Sequence, residues 1–166
     1  MATHGLRTWP WAGAEFDLLP APERLLIEAW RCWSEDLRCG RPPMSQPLLL
    51  LAVEDVPAAA EPLEALMRLA RGTPAPLLAT RVNDAEAALL LACALAQRGP
   101  RGGALAALLR RQSLTTAPMA LAAAMRLGTV LRGAGLLLAQ PLPRAPRAAP
   151  ARARSFWPEV DPWLPR

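Results

Sequence analysis

The sequence predicts an all-α fold, a single irregular or orthogonal bundle of five to six short helices with extended N- and C-terminal arms. Ala and Leu, the strongest helix formers, supply 65 of the 166 residues, whereas Val and Ile together supply six. Strands favour β-branched and aromatic residues, so an all-β fold is excluded. Because 52% of the residues are apolar, the chain can form one hydrophobic core of ordinary domain size.

An arm and an amphipathic helix begin the chain. Residues 1–20 predict an extended arm, since Trp9-Pro10-Trp11 does not favour a helix start, and residues 21–139 predict the helical domain. The first helix is predicted from Pro22 to Cys39, with Gly40 after its end. Its apolar residues share one face, and charged residues that can pair occupy the opposite, solvated face: Leu25, Leu26, Ala29, Trp30, Trp33 and Leu37 against Arg24, Glu28, Arg31, Glu35 and Arg38.

Two short helices and a loop are expected next. Ser45 is a candidate cap for a helix over residues 46–55, which contains the run Leu48–Leu51. A third helix is predicted over Pro62–Arg71, ending before Gly72. The following residues, 73–82, contain two prolines and predict a loop with a short extended segment at its end.

Asn83 and Glu86 form the clearest local pattern in the chain. Their three-residue spacing is typical of a capping box that opens a helix, which we predict to run to Arg98 and stop at Gly99. Its leucines point in nearly all directions, so we expect this helix to be central in the bundle.

Two further helices and two C-terminal segments complete the expected organisation. A fifth helix is predicted over Gly102–Gln112, with Leu105, Leu108 and Leu109 inward, and a sixth over Ala117–Ala134, with Thr115 or Thr116 as its cap. The predicted inward stripe of the sixth helix consists of Met119, Ala123, Leu127, Val130, Leu131 and Ala134. Residues 140–155 predict a semi-rigid spacer rich in Pro and Arg, and residues 156–166 an aromatic tail.

Charge is distributed unevenly along the chain. Residues 1–86 contain eight Arg and twelve acidic residues, whereas residues 87–158 contain ten Arg and no acidic residue. All cations are Arg, which we attribute to a GC-rich genome, but their placement predicts a positive potential on the C-terminal half. The candidate anion-binding residues are Arg98, Arg101, Arg110, Arg111, Arg144, Arg147, Arg152 and Arg154. The alternatives are an anionic partner (nucleic acid, an acidic protein or a membrane surface) or a dipolar globule whose acidic and basic halves pack together.

The sequence is poor in groups that perform catalysis. It has no Lys or Tyr, four Ser and one His, His4, which lies in the predicted arm. Cys32, Cys39 and Cys93 favour packing over a metal site because their spacing matches no zinc module. We therefore expect no catalytic site, metal or cofactor. The odd number of thiols, the absence of an apolar signal core and the lack of a 20-residue apolar run favour a cytoplasmic protein without a membrane span.

The aromatic residues concentrate at the two ends of the chain. The candidate partner-binding residues are Trp9, Trp11, Phe156, Trp157, Trp163 and Leu164, since Trp is a common interface anchor. The alternative is that these ends fold back and close a groove of the bundle. We expect a non-catalytic adaptor, assembly or accessory subunit that binds a larger protein complex through its tail and basic half. A basic, helical, nucleic-acid-associated protein is the second hypothesis.

Overall fold

The computed structural model describes residues 10–99 and 101–139, which form an all-α bundle and confirm the predicted fold class. The described residues contain six α-helices: α1 (Ala21–Arg38), α2 (Ser45–Val53), α3 (Ala60–Leu69), α4 (Asp84–Arg98), α5 (Arg101–Leu109) and α6 (Thr116–Gly133). Two 3-10 helices, Phe16–Leu18 and Pro57–Ala59, precede α1 and α3. This part of the chain has no strand, only an isolated antiparallel bridge between Glu15 and Arg81.

The predicted capping box is present at the start of α4. The Asn83 side-chain oxygen accepts a hydrogen bond from the backbone amide of Glu86 at 2.9 Å. The Glu86 carboxylate in turn accepts one from the backbone amide of Asn83 at 2.9 Å. Gly99 follows the last residue of α4, as expected. These two hydrogen bonds satisfy backbone amides that have no partner within the helix. Because both join residues only three apart, the sequence predicts the start of α4 closely.

The predicted cap of α2 is wrong. Ser45 is the first residue of α2 rather than its cap, and the flanking Met44 makes no side-chain hydrogen bond. The carboxylate of Asp36, in α1, instead accepts a hydrogen bond from the Gln46 amide at 2.9 Å. An acidic residue from another helix thus satisfies an amide at the start of α2, which a local sequence pattern does not reveal.

Helix α4 is central, as predicted. Eleven of its fifteen residues are buried, and it packs against α1, α5 and α6. Its approach to α6 is close because α6 has a glycine at the crossing. A Cβ atom placed on Gly128 would lie 3.1 Å from both Cα and Cβ of Gln97.

Some residues predicted to face inward are exposed. Leu37 and Leu109 lie at the ends of α1 and α5, where few neighbouring residues cover them. Met119 is exposed because the buried face of α6 is rotated toward Ala117, Ala120 and Ala124. Small residues allow the neighbouring helices to approach closely on that side, which the stripe drawn from the larger side chains does not anticipate.

The described part of the N-terminal arm packs on the domain. The Trp11 side chain is 8% exposed and belongs to the hydrophobic core. Backbone hydrogen bonds join Gly13 and Ala14 to Val82, both at 2.9 Å. This arm therefore supplies a covering layer over the loop that precedes α4.

The segment after α6 returns across the bundle and is held by buried side chains. The Gln97 amide group donates to the Leu136 carbonyl at 2.9 Å and accepts from the Leu138 amide at 2.9 Å. The Glu23 carboxylate accepts a hydrogen bond from the Ala139 amide. Among the described residues, no helix combines the length and apolar character needed to cross a bilayer.

Candidate functional site

A buried ion pair lies between α1 and α4. Arg31 Nε donates to Glu86 Oε1 at 2.7 Å, and Arg31 Nη2 donates to Glu86 Oε2 at 3.1 Å. The same guanidinium donates to the carbonyls of Ala79 at 2.6 Å and Arg81 at 3.0 Å. The prediction that Arg31 lies on a solvated face is therefore wrong, because α4 and the preceding loop cover this residue, while Arg24 and Arg38 of the same face are exposed.

Glu86 joins this ion pair to the capping box. Besides Arg31 and the Asn83 amide, its carboxylate accepts a hydrogen bond from the Ala75 amide at 3.0 Å. A carboxylate that is buried away from water needs such a set of hydrogen-bond partners to offset the loss of its hydration. The pair thus fixes residues 73–82 against α1.

The fixed loop forms one wall of an open apolar groove. The centroid of the Phe16 ring lies 4.8 Å from the guanidinium carbon of Arg31. The 3-10 helix Phe16–Leu18 is therefore positioned beside the Arg31–Glu86 ion pair. A cavity of about 550 Å³ lies between that 3-10 helix, α1, α2 and the loop. The apolar residues of its walls are Phe16, Cys32, Leu49, Leu50, Leu77, Leu78 and Ala79. A second cavity of about 280 Å³ shares Phe16 and Leu50 and continues to Val53. We call these two cavities together the α2 groove.

Among residues 10–99 and 101–139, little covers the apolar surface of helix α2. Only Pro47 and Leu51 of its nine residues are buried. Leu49 is 68% exposed and Val53 is 82% exposed, and across the groove Leu78 is 91% exposed. Single exposed leucines are ordinary, but a set of them around one groove is typical of a binding surface.

Acidic residues border the α2 groove. Asp17 and Glu28 line the larger cavity, and Glu28 and Glu54 line the smaller one. Arg24 is the basic residue in that smaller cavity. The lining therefore carries more negative than positive charge, which favours a positively charged ligand.

The cysteine side chains have different environments. Burial, followed by the nearby carboxylates of Glu28 and Asp36, raises the pKa of Cys32 to about 11. Burial alone raises the pKa of Cys93 to about 12, whereas Cys39 is exposed. In residues 10–99 and 101–139, no three His, Cys, Asp or Glu side chains gather as a metal site would require.

The candidate anion-binding residues are separated in the fold. Arg98 is the last residue of α4 and Arg101 the first of α5, whereas Arg110 and Arg111 follow the end of α5, about 13 Å further along at 1.5 Å per residue. Arg111 contacts the Asp84 carbonyl at 3.5 Å. The other four candidates lie outside the described residues: Arg144, Arg147, Arg152 and Arg154.

Most candidate partner-binding residues also lie outside the described part of the chain. Trp11 packs in the core, so in this structure its ring is not presented to a partner. The remaining candidates are not described: Trp9, Phe156, Trp157, Trp163 and Leu164. The same holds for the predicted spacer, 140–155, and tail, 156–166.

Sequence reasoning missed the α2 groove, although a signal was present. Residues 47–53 contain no polar side chain, and a helix without a polar face is usually buried. In the described part of the chain, α1, α3 and the 3-10 helix Pro57–Ala59 cover only part of it. Comparisons with known protein families, curated proteins and solved structures find no match. The described fold and site define a small all-α bundle with an open apolar groove.

Proposed function

We propose that the protein is an adaptor or accessory subunit that binds another protein through the α2 groove. The observation that carries this proposal is the exposed apolar surface of Leu49, Val53 and Leu78 around one groove. Burying such side chains stabilises a complex by about 1.5–3 kcal/mol for each residue before the costs of association. A partner that covers this surface therefore supplies the missing neighbours of α2.

The groove indicates the chemistry of its ligand. Apolar side chains of the ligand would contact Leu49 and Leu50, while Arg or Lys residues beside them would approach Asp17, Glu28 and Glu54. Apolar anchors provide most of the affinity in such recognition, and complementary charge increases the association rate and the specificity. The favoured partner segment is thus apolar and flanked by basic residues.

Affinity capture with matched bait variants tests this function. The full-length protein, a Leu49→Ser/Val53→Ser variant and a Leu114→Ser control are used as baits in lysate of the source cells. Leu114 is also exposed but lies between α5 and α6, outside the groove. We expect proteins that bind the wild-type and control baits to be depleted at least fivefold on the groove variant. Equal capture by all three folded baits would refute the groove as the interface.

A second candidate function, nucleic-acid binding, is favoured by the basic C-terminal half. The chain from Ala87 to Pro158 has ten Arg and no acidic residue, and Arg98, Arg101 and Arg110 are exposed around α5. Contacts to phosphates release counterions, so the affinity would fall steeply with salt. Titration of fluorescent RNA and DNA duplexes at two salt concentrations tests this hypothesis. Absence of binding at the lower concentration would exclude it.

A further inference from the structure

We propose that the C-terminal segment of this chain, residues 140–166, occupies the α2 groove and competes there with the partner. The inference deepens the proposed function, since it concerns the same groove and the same ligand chemistry. It rests on the charge and apolar surface of the groove, on the place where the described chain ends, and on the sequence of the segment.

Ala139, the last described residue, lies beside α1. The Ala139 amide is bound by Glu23, in the first turn of α1, and Arg24 and Glu28 of that helix line the groove. Glu23 lies on the opposite side of α1, so the segment must pass around a helix about 10–12 Å across. The sixteen residues of 140–155 span about 50 Å in a polyproline-like conformation, which is ample.

The segment has the chemistry that the groove favours. Arg152 and Arg154 directly precede Phe156 and Trp157, and residues 140–158 contain no acidic side chain. Large aromatic rings suit the apolar walls around Leu49 and Leu50, and the arginines would approach the acidic border. Basic and apolar groups thus follow each other in the segment as they would in the partner.

Attachment to the same chain makes even a weak match effective. A short tether gives an effective concentration on the order of 1 mM, so an intrinsic Kd of about 100 µM would leave the groove roughly 90% occupied. Pro158 and Pro162 limit the freedom that the segment loses on binding. A partner must therefore displace the segment, which lowers the partner's apparent affinity for the α2 groove.

The test adds the segment as a separate peptide to full-length chains. A fluorescent peptide of residues 150–166 is titrated against the wild type and against a tail variant, Phe156→Ser/Trp157→Ser/Trp163→Ser, with anisotropy as the readout. We expect the tail variant to bind the peptide about tenfold more tightly, because its groove is vacant. Adding Leu49→Ser/Val53→Ser to the tail variant should abolish binding, and adding Leu114→Ser should not.

Three results would overturn the inference. These are absence of binding to the tail variant, equal binding to the wild type, and binding that the Leu49→Ser/Val53→Ser change does not weaken. Sedimentation analysis adds a fourth: a wild-type dimer that the tail variant loses would show that the segment occupies the groove of a second copy. Capture of a partner by the wild type but not by the groove variant would still support the proposed function in each case.

Discussion

Arg31 and Glu86 are 55 residues apart in the sequence and meet as a two-bonded ion pair that solvent does not reach. Their side chains are 1% and 0% exposed, respectively. The pair also binds backbone groups of residues 75–83, so one contact connects two helices and a loop. It positions the wall of the α2 groove as well as stabilising the bundle.

We expect Glu86→Gln to destabilise the protein by about 3 kcal/mol, because it leaves the Arg31 charge buried without its counterion. Urea unfolding followed by circular dichroism measures this change. Glu35→Gln is the control, since its pair with Arg38 lies on the surface and is screened by water. Equal losses for the two variants would contradict a special contribution from burial.

The close crossing of α4 and α6 predicts opposite effects for two glycines of the same helix. Gly128→Ala should cost about 1–3 kcal/mol, because its new methyl group would lie 3.1 Å from Gln97. Gly133→Ala should not destabilise the protein, since nothing lies within 4 Å of the new atom and Ala favours helix. Thermal unfolding of both variants tests the difference, and a loss at Gly133 as large as at Gly128 would contradict it.

Shortening the Gln97 side chain should loosen the segment after α6 more than the rest of the bundle. Gln97→Ala removes the hydrogen bonds to Leu136 and Leu138, so the segment after α6 should separate from the bundle more readily. We expect the Leu138 amide to exchange at least tenfold faster, whereas amides at the centre of α4 change in proportion to global stability alone. Hydrogen exchange by NMR measures both, and uniform acceleration would indicate a global effect instead.

The thiol environments predict a fixed order of alkylation. With a pKa of about 11, Cys32 has a thiolate fraction of about one in a thousand at pH 8, and Cys93, at about 12, has less. Cys39 is exposed, so iodoacetamide should modify it at least tenfold faster than either. The rates at Cys32 and Cys93 should rise as the pH increases toward these values. Peptide mass spectrometry reads the three sites, and rapid labelling of Cys93 in the folded protein would contradict its burial.

Local signals allowed most of the helices to be predicted. The Asn83 box and Gly99 define α4, and Pro22 with Gly40 places α1 within a residue of its ends, because caps and stops act over one turn. The third helix begins at Ala60 rather than Pro62, since a preceding 3-10 turn leads into it. Ends of this kind depend on how the preceding segment packs.

The site was much less predictable because its determinants are distant in the sequence. A helical wheel assigns Arg31 to solvent, and only the approach of Glu86 and the loop carbonyls makes its burial possible. The exposure of Leu49 and Val53 likewise depends on what fails to cover α2. Periodicity describes one helix at a time, whereas these features belong to pairs of elements.

Alanines without any exposed surface lie along α4 and α6, among them Ala87, Ala94, Ala120 and Ala124. Such small side chains let neighbouring helices approach closely, as Gly128 does where α6 meets Gln97 of α4. An abundance of Ala that could arise from genome composition alone is therefore a steric requirement at these positions. In related sequences, a larger side chain on α4 at this crossing must be matched by a smaller one at the facing position of α6, and the reverse. We therefore expect residues at facing positions of the two helices to covary.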